Sequence, residues 1–198
     1  MRRSLVLLLL LVFSVDTARA ESSEKTLKLI ASARSQIGST VEYDGSYAAI
    51  PYPGGDIPLK RGVCTDVIVR AYRSLGIDLQ KLVHEDMTAH FEAYPSRRIW
   101  GLRAADSNID HRRVPNLQTF FERHGKKLSL DLQREPARPG DILTWMLPGG
   151  LPHIGLVSDR SNDRGPLVLH NIGQGTQEEE VIGKFPLTGH YRYWPWDK

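Results

Sequence analysis

Cysteine is the scarcest chemistry in this 198-residue chain: Cys64 stands alone. A single cysteine excludes an internal disulfide framework and every zinc motif built on cysteine pairs. Long apolar runs are equally scarce. Leu5 to Phe13 is unbroken, but it is shorter than the roughly 20 residues of a membrane-spanning helix, and nothing later is apolar enough to cross a bilayer. Charge of one sign is missing too. The 26 Lys and Arg against 23 Asp and Glu give +3; Arg2, Arg3, Arg19 and Asp16 all lie before Ala20, so the chain beyond it carries only +1. That balance leaves no electrostatic footprint for a nucleic-acid partner. Internal repeats, low-complexity segments and blocks of like charge are absent as well.

What is present begins with a leader. Met1-Arg2-Arg3, the apolar run and the small-x-small triplet Ala18-Arg19-Ala20 predict a secretory signal over residues 1–20, cleaved after Ala20. The protein is then exported, periplasmic or secreted, with no transmembrane anchor after cleavage. Residues 21–198 suit one domain with its own core. Export sharpens the question of Cys64. A lone cysteine in an oxidising compartment is an intermolecular link, a buried inert thiol or a reactive group.

Periodicity divides the chain into helices first and strands afterwards. Glu24–Ile37 carries apolar residues at helical spacing and ends at Gly38. Residues 39–62 are rich in Gly, Pro and Tyr and predict an extended loop. A helix then opens near Cys64, with Val67, Ile68, Ala71, Tyr72 and Leu75 on one face, Arg70 and Arg73 on the other, and Gly76 as its stop. Residues 77–135 form a mixed middle section of short helices and loops, with a helix over Pro115–His124. After Gly140 the pattern turns to strands at Asp141–Leu147, His153–Ser158, Leu167–Ile172 and His190–Trp194. The turn signal SDRSNDRGP pairs the second and third as a hairpin. The last segment predicts a packed edge strand. The expected class is α+β.

The chemistry gathers at the start of the Cys64 helix. A helix N-terminus offers free N–H groups and roughly half an elementary positive charge, which favour both a thiolate and a developing oxyanion. A thiol there needs a base. His153 opens one strand of the expected hairpin and His170 nearly closes the other, so both reach one end of the sheet. One imidazole would take the thiol proton and the other would orient the first, which is the layout of papain-like hydrolases. Thiolate plus two imidazoles is also a workable zinc set, but no fourth ligand is evident. HEDMTAH at 84–90 is no zinc-protease helix, because Thr88 stands where the second histidine belongs. No metal and no cofactor is expected. Asp66 and Arg112 are candidates for substrate binding, and the basic run His111-Arg112-Arg113 suits a cleft for peptide carboxylates.

The same residues carry a family resemblance. VCTDVIVRAYRSLGI resembles the nucleophile helix of NlpC-type cell-wall cysteine peptidases. RPGDILTWMLPGGLPHIGLVSD resembles their P-G-D strand followed by H-[VI]-G-[IL], and LVLHNIG resembles the strand of the third catalytic residue. YPGGD, GVCTD, HRRVPN, HIG and GHYRY together resemble a bacterial family of exported proteins of unassigned function. The resemblance covers most of residues 24–194. It implies a papain-like fold with Cys64 as nucleophile, His153 as general base and His170 as orienting group. It also implies a tyrosine at the oxyanion: Tyr52 in PYPGG fits the motif better, Tyr43 in VEYDG fits the spacing better, and Tyr52 is preferred. Val63 replaces the aspartate usual before the cysteine, and Thr65-Asp66 replaces serine-glycine. The middle section at about 77–135 is longer than in compact members and is expected to form a lid or a second cleft wall.

The function expected is an exported cysteine hydrolase that cleaves an amide bond in peptidoglycan stem peptides, through a Cys-His-His thioester mechanism. The competing expectations are a non-catalytic wall-binding protein on the same fold and a thioester-forming acyl or amide transferase.

Overall fold

The computed structural model describes residues 20–196, so the expected leader lies outside the described residues but for Ala20. Helix α1 spans 20–34 and buries Leu29, Ile30 and Ala33. It stops a turn short of Ile37 and winds through turns to residue 39, with Gly38 left-handed at φ 76°. Two-residue strands β1 (Glu42–Tyr43) and β2 (Arg61–Gly62) then pair in parallel and bracket the Tyr-rich loop.

Helix α2 (Cys64–Arg73) runs through the core, and every residue from Cys64 to Tyr72 is buried. Asp66 starts it: its Oδ2 accepts the backbone N–H of Val63 at 2.8 Å, satisfying a donor that the first turn leaves free. Arg70 does not face away, as the apolar pattern predicts. It is buried under the loop, where Nε and Nη2 donate to Asp56 at 2.9 and 3.0 Å, Nη1 to Thr40 Oγ1 at 3.0 Å and Nη2 to Arg61 O at 2.9 Å. The guanidinium replaces missing apolar packing by fastening residues 40–61 onto the helix.

The middle section is more ordered than its sequence pattern. Helix α3 (Leu79–Ala89) is capped by Asp78, whose side chain accepts Gln80 N–H, and it contains His84, Glu85 and Asp86. Helix α4 (Ser96–Trp100) follows, then a 3₁₀ turn over Asp110–Arg112, and helix α5 (Val114–His124) with a proline in its first turn.

Six antiparallel strands complete the α+β domain in the order β3–β8–β4–β5–β6–β7. They are β3 (Lys126–Lys127), β4 (Ile142–Leu147), β5 (Leu151–Asn162), β6 (Gly165–Asn171), β7 (Thr176–Glu179) and β8 (Leu187–Arg192). β5 and β6 form the expected hairpin. β8 is not an edge, because β3 pairs on its outer side. Strand alternation sorts the side chains. Ile142, Ile154, Leu156 and Leu169 face the helices and join Leu29, Ile68, Leu117 and Phe121 in the main core. Leu143, Trp145, Val157 and Val168 form a smaller cluster with Val181, flanked by Ile182 and Phe185. Gly155 of the HIG triplet permits this crossing: a Cβ there would lie 2.5 Å from Val168 Cγ1 and 3.2 Å from His170 Cβ. Among the described residues no helix is long and apolar enough to cross a membrane.

Candidate active site

Cys64 is the first residue of α2, 4% exposed, at the base of a cleft of about 220 Å³. Three backbone N–H groups face its sulfur: those of Cys64 and Thr65 in the first helical turn, and that of Ile154 from β5. Burial pushes the thiol up to about 11, and Asp66 adds to the rise against the pull of those N–H groups. The resting group is a thiol, not the free thiolate that a helix start by itself favours. The Tyr43 hydroxyl faces the same sulfur; burial and the neighbouring thiol push that phenol up to about 12.

The two histidines meet. His153 Nε2 lies 3.0 Å from His170 Nδ1, with the rings nearly perpendicular at 83°. The peptide joining His153 to Ile154 is the one whose N–H faces the thiol, so the His153 backbone lies beside Cys64, while strand alternation turns its ring to the sheet face of Trp145 and His170. Burial, and then the charge of His170, lower the His153 imidazole to about 3; burial also lowers His170, partly offset by Glu179. Trp145 covers His153, with ring centroids 6.0 Å apart.

Glu179 is the participant that the sequence does not advertise. Its Oε1 lies 3.2 Å from His170 Nε2, off the axis of a well-aligned hydrogen bond. In the sequence it belongs to the run Glu178-Glu179-Glu180, which looks like solvated charge. Period-two alternation on β7 separates them. Glu178 turns to α1, where Arg34 Nε donates to it at 2.9 Å, while Glu179 turns to His170. Arg34 also holds Asp159, which is therefore committed far from the histidine pair. A carboxylate at His170 Nε2 favours the proton there. His170 Nδ1 then accepts from His153 Nε2–H, and His153 Nδ1 is left bare as a base.

The tyrosine preference and two binding assignments need correction. Tyr52 is a half-exposed residue whose ring stands edge-on to His84 at 5.0 Å, away from the cleft lining. Tyr43 takes the place beside the thiol because β1 pairs with β2, which leads directly into Val63 and Cys64. Asp66 and Arg112 bind each other. Arg112 Nε and Nη2 donate to Asp66 Oδ1 and Oδ2, both at 3.0 Å, and Nη1 and Nη2 donate to Ser46 O and Asp44 O. With both side chains buried, this pair fixes the helix start and the Tyr43 loop and has little left for a substrate. Asn171 adds a further tie: its Nδ2 donates to Gly62 O at 3.1 Å, linking β6 to the approach of the cysteine. The middle section supplies one wall of the cleft through Trp100, Ile109, Arg113 and Pro115, and Pro152 closes the other side.

The imidazoles spend their facing nitrogens on each other rather than converging on a shared metal position. Among the described residues no group of three or more His, Cys, Asp or Glu is arranged to hold a metal ion.

A protein of Escherichia coli (strain K12), described as "Uncharacterized protein YijF", is 55% identical over 162 residues, which is 81% of this chain and 78% of that protein. The family described as "Domain of unknown function (DUF1287)" matches residues 30–193, from within α1 to just past β8 and across every site residue above. The chain belongs to the DUF1287 family.

Proposed function

We propose that the protein is an exported cysteine hydrolase of papain-like, NlpC-type design that cleaves an amide bond in peptidoglycan stem peptides. The observation that carries this is the His153–His170 contact at 3.0 Å, rooted at the peptide whose N–H faces the Cys64 sulfur. Export and the wall substrate rest on the leader and the NlpC resemblance.

The chemistry balances as follows. The Cys64 sulfur attacks the carbonyl carbon while its proton passes to His153 Nδ1. The tetrahedral oxyanion is held by the Cys64 N–H and the Tyr43 O–H. The C–N bond breaks, and the amine leaves with the proton from His153. Water then gives a proton to His153, its oxygen attacks the thioester, the S–C bond breaks to release the acid, and His153 returns its proton to the sulfur to restore the thiol. His170 and Glu179 keep His153 in the tautomer that can accept at Nδ1. Because both resting groups are neutral, the base acts during attack rather than by storing an ion pair.

One observation favours a second reading, a wall-binding protein: the thiol is almost fully covered and its pKa is raised. The two separate cleanly. Purified peptidoglycan sacculi are incubated with protein lacking residues 1–20, and soluble fragments are weighed by mass spectrometry. The hydrolase releases peptides cut at one bond, and Cys64→Ala releases none. Sedimentation with sacculi but no fragments, unchanged in Cys64→Ala, overturns the hydrolase. Product that forms only with an added amine acceptor identifies a transferase.

A further inference from the structure

We infer that Arg113, stacked on Trp100 in the Cys64 cleft, is a specificity-determining residue that binds a carboxylate of an acidic peptide. The inference deepens the hydrolase reading and rests on it for calling that peptide a substrate; the anion site itself rests on geometry.

The charge of the cleft lining is one-sided. Two arginines, Arg112 and Arg113, line it, and among the described residues no aspartate or glutamate does. The two differ in what they have left to give. Arg112 is spent on Asp66, Ser46 and Asp44. Arg113 makes one hydrogen bond among the described residues, from Nη1 to Asp110 Oδ1 at 3.3 Å, which is long for a charge-assisted bond. That aspartate is itself shared, because Asn116 Nδ2 donates to its backbone oxygen at 3.2 Å and lies 3.4 Å from the same Oδ1.

Stacking decides how Arg113 is presented. Its guanidinium carbon sits 4.3 Å above the Trp100 ring centroid. A guanidinium seated over an indole face is held by the ring without spending its N–H groups, which remain able to meet a carboxylate two-pronged. Asp110, and Asp106 behind it, are the acidic groups facing Arg113; they hold its position without filling its fork. The surrounding walls, Val114, Pro115 and Pro152, offer no competing polar partner. A substrate lacking a carboxylate near its scissile amide would bury an unpaired charge-bearing donor set, which penalises neutral peptides.

The test uses the Cys64→Ala protein, so that binding is read without turnover. Two probes are titrated by calorimetry: L-alanyl-γ-D-glutamyl-L-lysine with its glutamyl α-carboxylate free, and the same peptide with that group amidated. The free acid is expected to bind about tenfold or more tighter. Adding Arg113→Gln is expected to erase the difference, and Arg113→Lys to restore part of it. Equal affinity for both peptides, or an Arg113→Gln loss that is equal for both, overturns the site. If neither peptide binds, N-acetylglycine is titrated into ¹⁵N-arginine-labelled protein; no saturable Arg113 Nε–H shift into the millimolar range also overturns it. Carboxylate-dependent binding in a protein that cleaves nothing leaves the anion site standing and removes the hydrolase, so the two failures are distinguishable.

Discussion

Two histidine–carboxylate networks stand on the same sheet, and they are built to opposite ends. In the first, Asp141 of the PGD motif and His190 of β8 are both fully buried. His190 Nε2 lies 3.0 Å from Asp141 Oδ2 and its Nδ1 lies 3.0 Å from Ser129 O, while Arg192 donates to both Asp141 oxygens at 2.7 and 2.8 Å. Burial alone would raise the Asp141 carboxyl, but His190 and Arg192 outweigh it and hold the group below its usual range. Every ring nitrogen is spent. The second network runs from Glu179 through His170 to His153, whose other ring nitrogen has no hydrogen-bond partner among the described residues and whose backbone leads into Ile154, the residue whose N–H faces the Cys64 sulfur. A closed network holds strands together; an open one keeps a proton acceptor available. The difference lies in what is left unpaired, since the residue types are nearly the same.

Breaking the closed network has the largest expected effect. Asp141→Ala leaves His190 and Arg192 facing an empty buried position and is expected to cost about 3–5 kcal/mol of stability. Urea unfolding measures it, and a loss below about 1 kcal/mol would make the two networks equivalent in kind. Opening the second network works the other way. His153→Ala is expected to leave the stability to urea within about 1–2 kcal/mol of wild type, because it removes a neutral histidine–histidine contact rather than one partner of a buried ion pair. It is expected to slow alkylation of Cys64 by iodoacetamide at neutral pH by about 100-fold, the usual worth of a positioned base. With the thiol pushed up to about 11, alkylation in the variant should rise only in strongly alkaline buffer. Equal rates in the two proteins would remove His153 as the base.

The pH dependence of stability sharpens the contrast next. His153 is lowered to about 3 and His111 to about 4, both chiefly by burial, and His111 Nδ1 has no partner among the described residues in its buried position. An unfolded histidine titrates near 6.5. Between that value and the folded ones the unfolded chain binds more protons, so stability is full above about 6.5 and falls as the pH drops toward 4. Each of the two contributes a loss of about 2 kcal/mol between pH 7 and pH 5. His111→Leu is expected to remove its share, visible as a smaller fall in thermal midpoint over that interval. An unchanged fall would mean that His111 is not held neutral.

Much of this was legible in the sequence, and the illegible parts share a cause. The α+β order, the start of α2 at Cys64, the β5–β6 hairpin and the meeting of His153 with His170 follow from apolar period and turn residues, which act locally. β3 and β7 left no such mark. Lys126-Lys127 and Thr176–Glu179 carry almost no apolar side chains and become strands only because β8 and β6 present unpaired edges. Polar side chains were assigned wrongly wherever a distant partner decided their role. Arg70 faces inward because Asp56 is there, and Arg112, although it lines the cleft, has its donors taken up because Asp66 is there. Tyr43 rather than Tyr52 meets the thiol because a two-residue parallel pairing sets it there. No spacing rule encodes such partners.

The smallest expected effect tests the least conspicuous member of the open network. Glu179 is nearly half exposed at its side chain, so its hold on His170 is screened by water. Its proposed work is to bias a tautomer, not to carry stability. Glu179→Gln can still offer an oxygen to His170 Nε2–H, but it can equally offer an N–H, which would reverse the proton order and leave His153 Nδ1 protonated toward the thiol. A split between the two tautomers is expected to lower kcat by about tenfold or less while KM stays nearly constant, because the group touches no substrate. Thermal stability should not move measurably. The decisive readout is the ¹⁵N shift of the His153 ring. In wild type Nε2 should read as protonated and Nδ1 as bare, and in Glu179→Gln the two should converge. If kcat falls while both ring shifts hold, Glu179 acts by some route other than the proton order. If neither changes, the open network ends at His170, and two histidines alone prepare the thiol.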